Sequence, residues 1–455
     1  MASTKRVAKK KKAKKTAVRT RKKKAAKATK KASKKSPVPV ASAPAEIKVA
    51  QSTSTAYTQV RELPMKERRK RLRALQNKAN EANPGILVTA DQMSSPWMLR
   101  RPTGIIELDI AIGGGFPAGG ASVVAGPENS GKSWLMWRLF AMQQAIYGDD
   151  FIGAVANVEH PIPYDQAIGA GCKIAVPDEI LGQWDEWFVQ RGMPGLTGEQ
   201  VAQFKQQVGT FIGINGVTGE DMLEQILSLT EQEVCSMIGV DSVSVLTPAA
   251  DADKDLSDEN KRAAHATMMK KFWMHFSAMV RAGTNHTSLI FTSQVVSNQE
   301  RANMPTYIQK SVPEWELKGG WAGKHGYLIT LLLYSGEKIK RSKDSKDILG
   351  KYIKYQTKKG KAGAHDNVYG EFPYYYHLKG VDSHGELIAS AIQRGILVNI
   401  SGTLQVLNGT TREPIAGMFA PDDKTLRQML EADFDFELAL RREVLASADI
   451  QCLYR

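Results

Sequence analysis

Eight residues constrain this chain more than any others: Gly126, Pro127, Glu128, Asn129, Ser130, Gly131, Lys132 and Ser133. A glycine, four free positions and Gly-Lys-Ser form a P-loop pattern. Ala121–Ala125 before it reads as a short buried strand, and Ser133–Phe140 after it as a helix with apolar residues on most sides and no breaker. Glycines let the backbone curl so that several N–H groups point inward at an anion, and the helix N-terminus adds partial positive charge at the same place. The pattern predicts a nucleoside triphosphate site in which Lys132 reaches the β- and γ-phosphates and the Ser133 hydroxyl ligates Mg2+. A chance glycine turn would account for the loop, but not for the strand and helix that flank it.

At 455 residues, 42% of them apolar, the chain has room for two or three domains and a sizeable core. The apolar run Tyr327–Tyr334 is far too short to span a bilayer, and the lysine-rich start is followed by no apolar region of the kind a signal peptide needs. No membrane partner is expected. Cys172, Cys235 and Cys452 are too widely spaced for a disulfide framework or a metal knuckle, as expected of thiols in a reducing compartment. The net charge of +15 is uneven: the first 36 residues hold 18 of the 62 lysines and arginines and no acid, so the rest is close to neutral.

That basic segment, through about Ser54, is built from Lys, Ala, Thr and Ser with three prolines, too few large apolar residues to order it. Runs such as Lys9–Lys12 and Arg21–Lys24 resemble linker-histone tails and suit sequence-independent phosphate binding driven by counterion release. A purely solubilising or localising tail would have the same composition. Glu62–Glu81 reads as a helix whose six bases from Lys66 to Arg73 surround only Met65, Leu72 and Leu75, so it needs a docking partner or remains a solvated arm. From Ile86 the chain becomes compact. Short strands at Phe151–Val158, Ser236–Asp241, Ser288–Gln294 and Tyr327–Tyr334, with helices between them (Lys261–Arg281 the longest), give a parallel α/β pattern. From Tyr376 onward, short helices separated by Gly and Asn suggest a small C-terminal domain.

Three of those strands end in Glu159, Asp241 and Gln294. In open α/β sheets ligands bind at the carboxyl ends of strands, so the three side chains should converge on the nucleotide. Asp241 after an apolar strand has Walker B character and would hold Mg2+. Glu159 is placed to orient an attacking water, and the uncharged Gln294 suits a γ-phosphate sensor better than a base. Read singly, each could be an ordinary polar strand end.

These motifs, in this order, resemble the RecA family of homologous-recombination ATPases. Gly126–Ser133 is similar to its P-loop, Asn157–His160 to its catalytic-glutamate segment, Val240–Pro248 to its Walker B segment, and Phe291–Gln294 to the segment ending in its γ-phosphate-sensing glutamine. Pro102–Gly115 and Gly385–Ile388 are also similar, and the likeness runs from about Lys66 to Leu430. It implies an α/β fold: a RecA-like P-loop ATPase core with a mostly parallel central sheet, an N-terminal docking helix and a small α+β C-terminal domain. The implied boundaries are 1–56 for tail and linker, 57–88 for the oligomerisation helix region, 89–375 for the core and 376–455 for the C-terminal domain.

The resemblance further implies a DNA-dependent ATPase, using ATP and Mg2+, that polymerises head to tail on single-stranded DNA and exchanges strands with double-stranded DNA. Two loops would face DNA, about Ala250–Arg262 and Val295–Gly319; the second carries Arg301, Tyr307, Lys310, Trp315 and Lys318, a mix that binds phosphates and stacks on bases. Lys359 and Lys361 match a Lys-x-Lys pair that reaches the neighbouring subunit's γ-phosphate. Tyr164 lies near, though offset from, the family's adenine contacts. The second DNA loop, the insertion near Gln183–Phe211, the added basic tail and the missing acidic C-terminal tail depart from the family pattern. They suggest a divergent, phage-encoded recombinase acting in the host cytoplasm beside the nucleoid. A RecA-fold helicase or motor, and an architectural DNA-binding protein with a regulatory ATPase, are the competing readings.

Overall fold

The computed structural model describes residues 65–82, 99–252, 261–281, 285–297, 315–317, 326–342, 345–378 and 380–450. The chain divides into two units between Asn83 and Pro84. The described part of the first is one helix, α1 (Met65–Ala82), in which Glu67 pairs with Arg71 one turn on at 3.1 Å. Its Met65, Leu72 and Leu75, the apolar residues of its thin stripe, are exposed.

The second unit begins with β1 (Arg100–Arg101), α2 (Ile106–Ala111), β2 (Phe116–Pro117), β3 (Ala121–Gly126), α3 (Lys132–Tyr147) and β4 (Ile152–Asn157). Next come α4 (Tyr164–Gly169), α5 (Asp178–Gln190), α6 (Gly198–Phe204), β5 (Thr210–Gly213), α7 (Gly219–Glu231), β6 (Met237–Asp241), α8 (Ala249–Ala252) and α9 (Lys261–Arg281). The chain continues through β7 (Ser288–Ser297), β8 (Trp315–Leu317), β9 (Ile329–Lys340), β10 (Ile348–Gly360) and β11 (Tyr369–Tyr375). It closes with α10 (Ser383–Gln393), β12 (Leu397–Ile400), β13 (Thr403–Leu407), β14 (Pro414–Ala420), α11 (Asp423–Ala432) and α12 (Phe434–Ala446).

The central sheet has the order β11-β10-β9-β3-β7-β6-β4-β5, with β8 antiparallel on β7. From β9 to β5 every pairing is parallel; β10 and β11 extend it as antiparallel strands. The parallel strands read as nearly continuous apolar runs because both faces are covered. Successive residues point to opposite faces: Val124, Met237 and Ile290 pack beneath α3, while Val123, Ile238, Leu289 and Phe291 pack with Leu223 and Ile226 of α7 and Phe272 and Trp273 of α9. A helix sandwiched this way is apolar on most sides, and α3 buries Trp134, Leu135, Trp137, Leu139 and Phe140, each worth about 1.5–3 kcal/mol of transfer free energy. Thr218 starts α7 with a reciprocal capping box to Asp221.

Two parts of the sheet go beyond the sequence reading. Thr210–Gly213, at the end of the insertion near Gln183–Phe211, forms edge strand β5, and the segment after Tyr334 continues as a long antiparallel ribbon rather than ending there. The C-terminal part also holds more than short helices. Strands β12–β14 form an antiparallel sheet whose first turn, Ser401-Gly402, has positive φ at both residues, the geometry a two-residue hairpin needs. Leu387, Ile396, Val406, Leu426, Leu438 and Val444 make its core and pack with Ile106 and Ile146. Fully buried Arg441 pairs with Glu437 at 2.7 Å and donates to the Gly104 carbonyl at 3.1 Å, and Arg394 and Ser390 hold Glu107. The segments Pro102–Gly115 and Gly385–Ile388 therefore belong to one interface. No helix among the described residues is long and apolar enough to cross a membrane.

Candidate nucleotide site

Strand β3 ends where the P-loop begins. Its parallel register with β7 sets Gly126 beside Gln294, and the register of β4 with β6 sets Asn157 beside Asp241. The Val158 N–H donates to the Asp241 carbonyl at 2.7 Å, which ties the segment carrying Glu159 to the end of β6. Loop, Glu159, Asp241 and Gln294 are thus gathered on one edge of the sheet.

The loop turns through Asn129, at φ 57°, and Gly131, at φ 94°. A Cβ at Gly131 would stand 2.9 Å from the Ile353 Cδ1 as well as in a conformation L residues rarely adopt. Ser130 Oγ and Lys132 Nζ both donate to the Pro127 carbonyl, at 2.8 and 2.7 Å. Burial pulls the Lys132 ammonium below the usual lysine range, while Asp241, Glu159 and Glu128 oppose the shift by favouring its charge. The first N–H groups of α3 lack intrahelical partners, as at any helix start, and lie beside this cation.

Asp241 accepts a short hydrogen bond from Thr292 Oγ1 of β7. Glu159 Oε1 accepts from Ser242 Oγ at 2.8 Å; Ser242 Oγ lies 2.7 Å from Ser244 Oγ, which in turn accepts from the Gln294 N–H at 3.5 Å. His265 of α9 meets the Val243 carbonyl at 3.1 Å. On the other side of the loop, Ser335 Oγ donates to the Asn129 carbonyl at 3.1 Å and Lys351 Nζ makes a short bond to the same atom. Ser242, Ser244, Thr292, Ser335 and Lys351 were not singled out by sequence reasoning. Ser242 and Ser244 could have been, since they interrupt an apolar run directly after Asp241.

Ser133 in the first turn of α3 and the Asp241 carboxylate offer hard oxygen donors. Among the described residues no group of three or more His, Cys, Asp or Glu could hold a metal. Two protein oxygens, with the remaining positions filled by water and phosphate, suit Mg2+.

Other expected site residues lie apart. Lys359 pairs with Thr330 and the Lys361 N–H donates to the Leu328 carbonyl, while Val123 pairs with Thr330 and Ala121 bonds Leu328. Both lysines therefore sit at the amino end of β3, opposite the P-loop. Burial and the neighbouring Lys361 lower the Lys359 ammonium to about 8, against the pull of Asp366. Tyr164 opens α4 and packs against the core beneath α3. Arg301, Tyr307, Lys310 and Lys318 lie outside the described residues, as do the basic tail and most of both expected DNA loops; for Trp315, only the backbone pairing with Ser297 is described.

No protein-family model matches the chain. Curated relatives do. Protein RecA of Desulforapulum autotrophicum is 27% identical over 304 residues, 65% of this chain and 70% of that protein. Protein RecA of Herpetosiphon aurantiacus is 27% identical over 297 residues, 65% and 68% of the two chains. Protein RecA of Bacteroides thetaiotaomicron is 27% identical over 316 residues, 68% and 78%. These similarities support a divergent RecA-family assignment for the chain. Its central sheet, N-terminal helix and small C-terminal α+β subdomain have the RecA-like architecture, and fold and homology together make it a P-loop ATPase of the RecA class.

Proposed function

We propose that this RecA-family chain is an ATP- and Mg2+-dependent recombinase that forms filaments on single-stranded DNA and promotes homologous pairing and strand exchange. One observation carries the reading: the P-loop, Glu159, Asp241 and Gln294 share one edge of the sheet, while Lys359 and Lys361 lie at the other. In this reading the loop N–H groups and Lys132 hold the phosphates, and Ser133 and Asp241 hold Mg2+, which supplies charge neutralisation when bound. Glu159 orients the attacking water and Gln294 senses the γ-phosphate. Lys359 and Lys361 act on the nucleotide of the next subunit, so complete sites require head-to-tail assembly. The expected DNA loops begin at Ala250, within α8, and at Val295, within β7, and Gln294 directly precedes the second of them. Nucleotide and DNA binding should therefore favour each other equally.

Hydrolysis by the full chain, with and without single-stranded DNA, tests the proposal when paired with electron microscopy. Stimulated hydrolysis and DNA-bound filaments, both lost in Lys132→Ala, are the expected result. Stimulated unwinding by closed rings would favour a helicase. Hydrolysis indifferent to DNA, with binding that vanishes at high salt, would favour an architectural role for the basic tail.

A further inference from the structure

The hydrogen bonds around Glu159 have a direction. A carboxylate only accepts, a backbone N–H only donates, and each serine hydroxyl has one proton to give. Ser242 gives its proton to Glu159 Oε1, at 2.8 Å. The 2.7 Å contact between the two serines must then be a donation from Ser244 to Ser242. Ser244, its proton spent, accepts from the Gln294 N–H at 3.5 Å. The chain therefore runs from Gln294 through Ser244 and Ser242 to the carboxylate, every dipole aligned, an arrangement in which each bond strengthens the next.

We propose that Ser242 and Ser244 are positioning residues that set the orientation of Glu159 according to where the end of β7 lies. The inference rests on the reading of Glu159 as the group that orients the attacking water. Its working link is the longest one. At 3.5 Å the Gln294–Ser244 bond is well beyond the usual 2.7–3.2 Å range, so a small movement of Gln294 toward Ser244 closes it and a small movement away breaks it. Closing it fixes the Ser244 hydroxyl with its proton toward Ser242, and Ser242 with its proton toward Glu159. Breaking it frees Ser244 to rotate, and the carboxylate loses its tether to β7. Segment 242–245 is held from a second side by His265 of α9, so it cannot simply follow β7. Ser242 is buried and Ser244 half-buried, so solvent competes weakly for the inner bonds.

A double-mutant cycle between Ser244 and Glu159, in the full chain, tests the relay. Ser244→Ala should lower the DNA-stimulated kcat about tenfold and leave the KM for ATP within about twofold. Ser244→Thr, which keeps a hydroxyl, should retain most of the rate. In a Glu159→Gln background the same Ser244→Ala change should alter the residual rate by less than about twofold, because its effect passes through the carboxylate. An equal loss in both backgrounds, or a wild-type kcat in Ser244→Ala, overturns the relay. Should Ser244→Ala melt without cooperativity, Ser244→Val against Ser244→Thr repeats the comparison at nearly constant shape. A Glu159→Gln chain as fast as the wild type would overturn the relay together with the reading on which it rests.

Discussion

The two edges of the central sheet differ in completeness. At the carboxyl edge, β3, β4, β6 and β7 bring a P-loop, two acids and an amide together within one chain. At the opposite edge stand Lys359 of β10 and Lys361 just past its end, with no triphosphate-binding loop beside them among the described residues. In the proposed reading the first edge holds the parts of a nucleotide site, and the second holds cations that a nucleotide could use only if another molecule supplied it. Damage to the first should be felt by every chain alone, whereas damage to the second should be felt only through neighbours.

The largest effect belongs to Lys132. Lys132→Ala should reduce hydrolysis at least about 100-fold, at every protein concentration, because in the proposed reading its cation is intrinsic to the phosphate cradle. It should not unfold the chain, since Lys132 is only half-buried and its ammonium is already destabilised by burial. Calorimetric melting alongside a phosphate-release assay separates the two outcomes; a collapsed melting transition would make the loss uninformative about the cradle.

Next comes the opposite edge. Lys359→Ala with Lys361→Ala should cost about tenfold or more in assembled protein, yet change nothing in dilute, unassembled chains. Mixing sharpens the contrast. Equal amounts of this double variant and of Lys132→Ala, each strongly impaired alone, should recover about a quarter of wild-type hydrolysis, because random head-to-tail assembly pairs intact loops with intact lysines at that frequency. No recovery would place the lysines in the same chain's chemistry, against their position on the sheet.

How much of this was legible depended on whether a residue's neighbours in sequence are also its neighbours in space. Gly126–Ser133 is a local object, so strand, loop and helix announced themselves. Glu159, Asp241 and Gln294 were legible because parallel strands deliver their ends to one edge. Ser242 and Ser244 join Glu159 to Gln294 across segments far apart in sequence, and a serine looks alike whether it bridges two strands or faces water. Ribbon β9–β10 was missed past Tyr334 because the remainder of β9, Ser335–Lys340, is exposed or half-buried and mixes lysines and a glutamate with small residues, leaving no apolar period. Edge strand β5 is only four residues long and partly exposed, too short to separate from the helices before it. Arg441 and Glu437, a turn apart on α12, look like a surface pair; only the packing of that helix against Gly104 buries them.

A smaller effect should follow from pH. Lys359 holds its proton only to about pH 8, because burial and Lys361 disfavour its charge. A lysine whose folded pKa lies below its unfolded value destabilises the fold fully below pH 8, and that cost is relieved as pH rises toward 10.5. Its proposed role moves the other way: a trans-acting cation at Lys359 would be present below pH 8 and lost above it. Hydrolysis by assembled protein should therefore fall as pH passes about 8, with the limb displaced upward to the extent that a neighbour's phosphate stabilises the charge. Lys359→Arg, always charged, should remove that limb, and Lys132→Ala should be inactive throughout. A limb unchanged in Lys359→Arg would assign it to another group.

The smallest effect touches neither edge and so serves as their control. Glu386 sits at the buried junction of α10 with the core, where burial raises its carboxyl to about 7 despite Arg441, and one carboxyl oxygen has no partner. A carboxylate with a raised folded pKa contributes its full stability below about 4.5 and loses it as pH climbs through about 7. Glu386→Gln should therefore stabilise the chain by about 1–2 kcal/mol at pH 8 and by little at pH 4.5, with hydrolysis unchanged at both. Nearby Asp109 is also raised by burial, to about 6, yet accepts bonds from Thr103 and Gly104, so Asp109→Asn should destabilise where Glu386→Gln does not. Thermal melting at the two pH values decides the matter. An equal gain at both would mean that shape rather than buried charge governs this junction, and a change in hydrolysis would mean that the two edges are not as independent of the C-terminal subdomain as the sheet register implies.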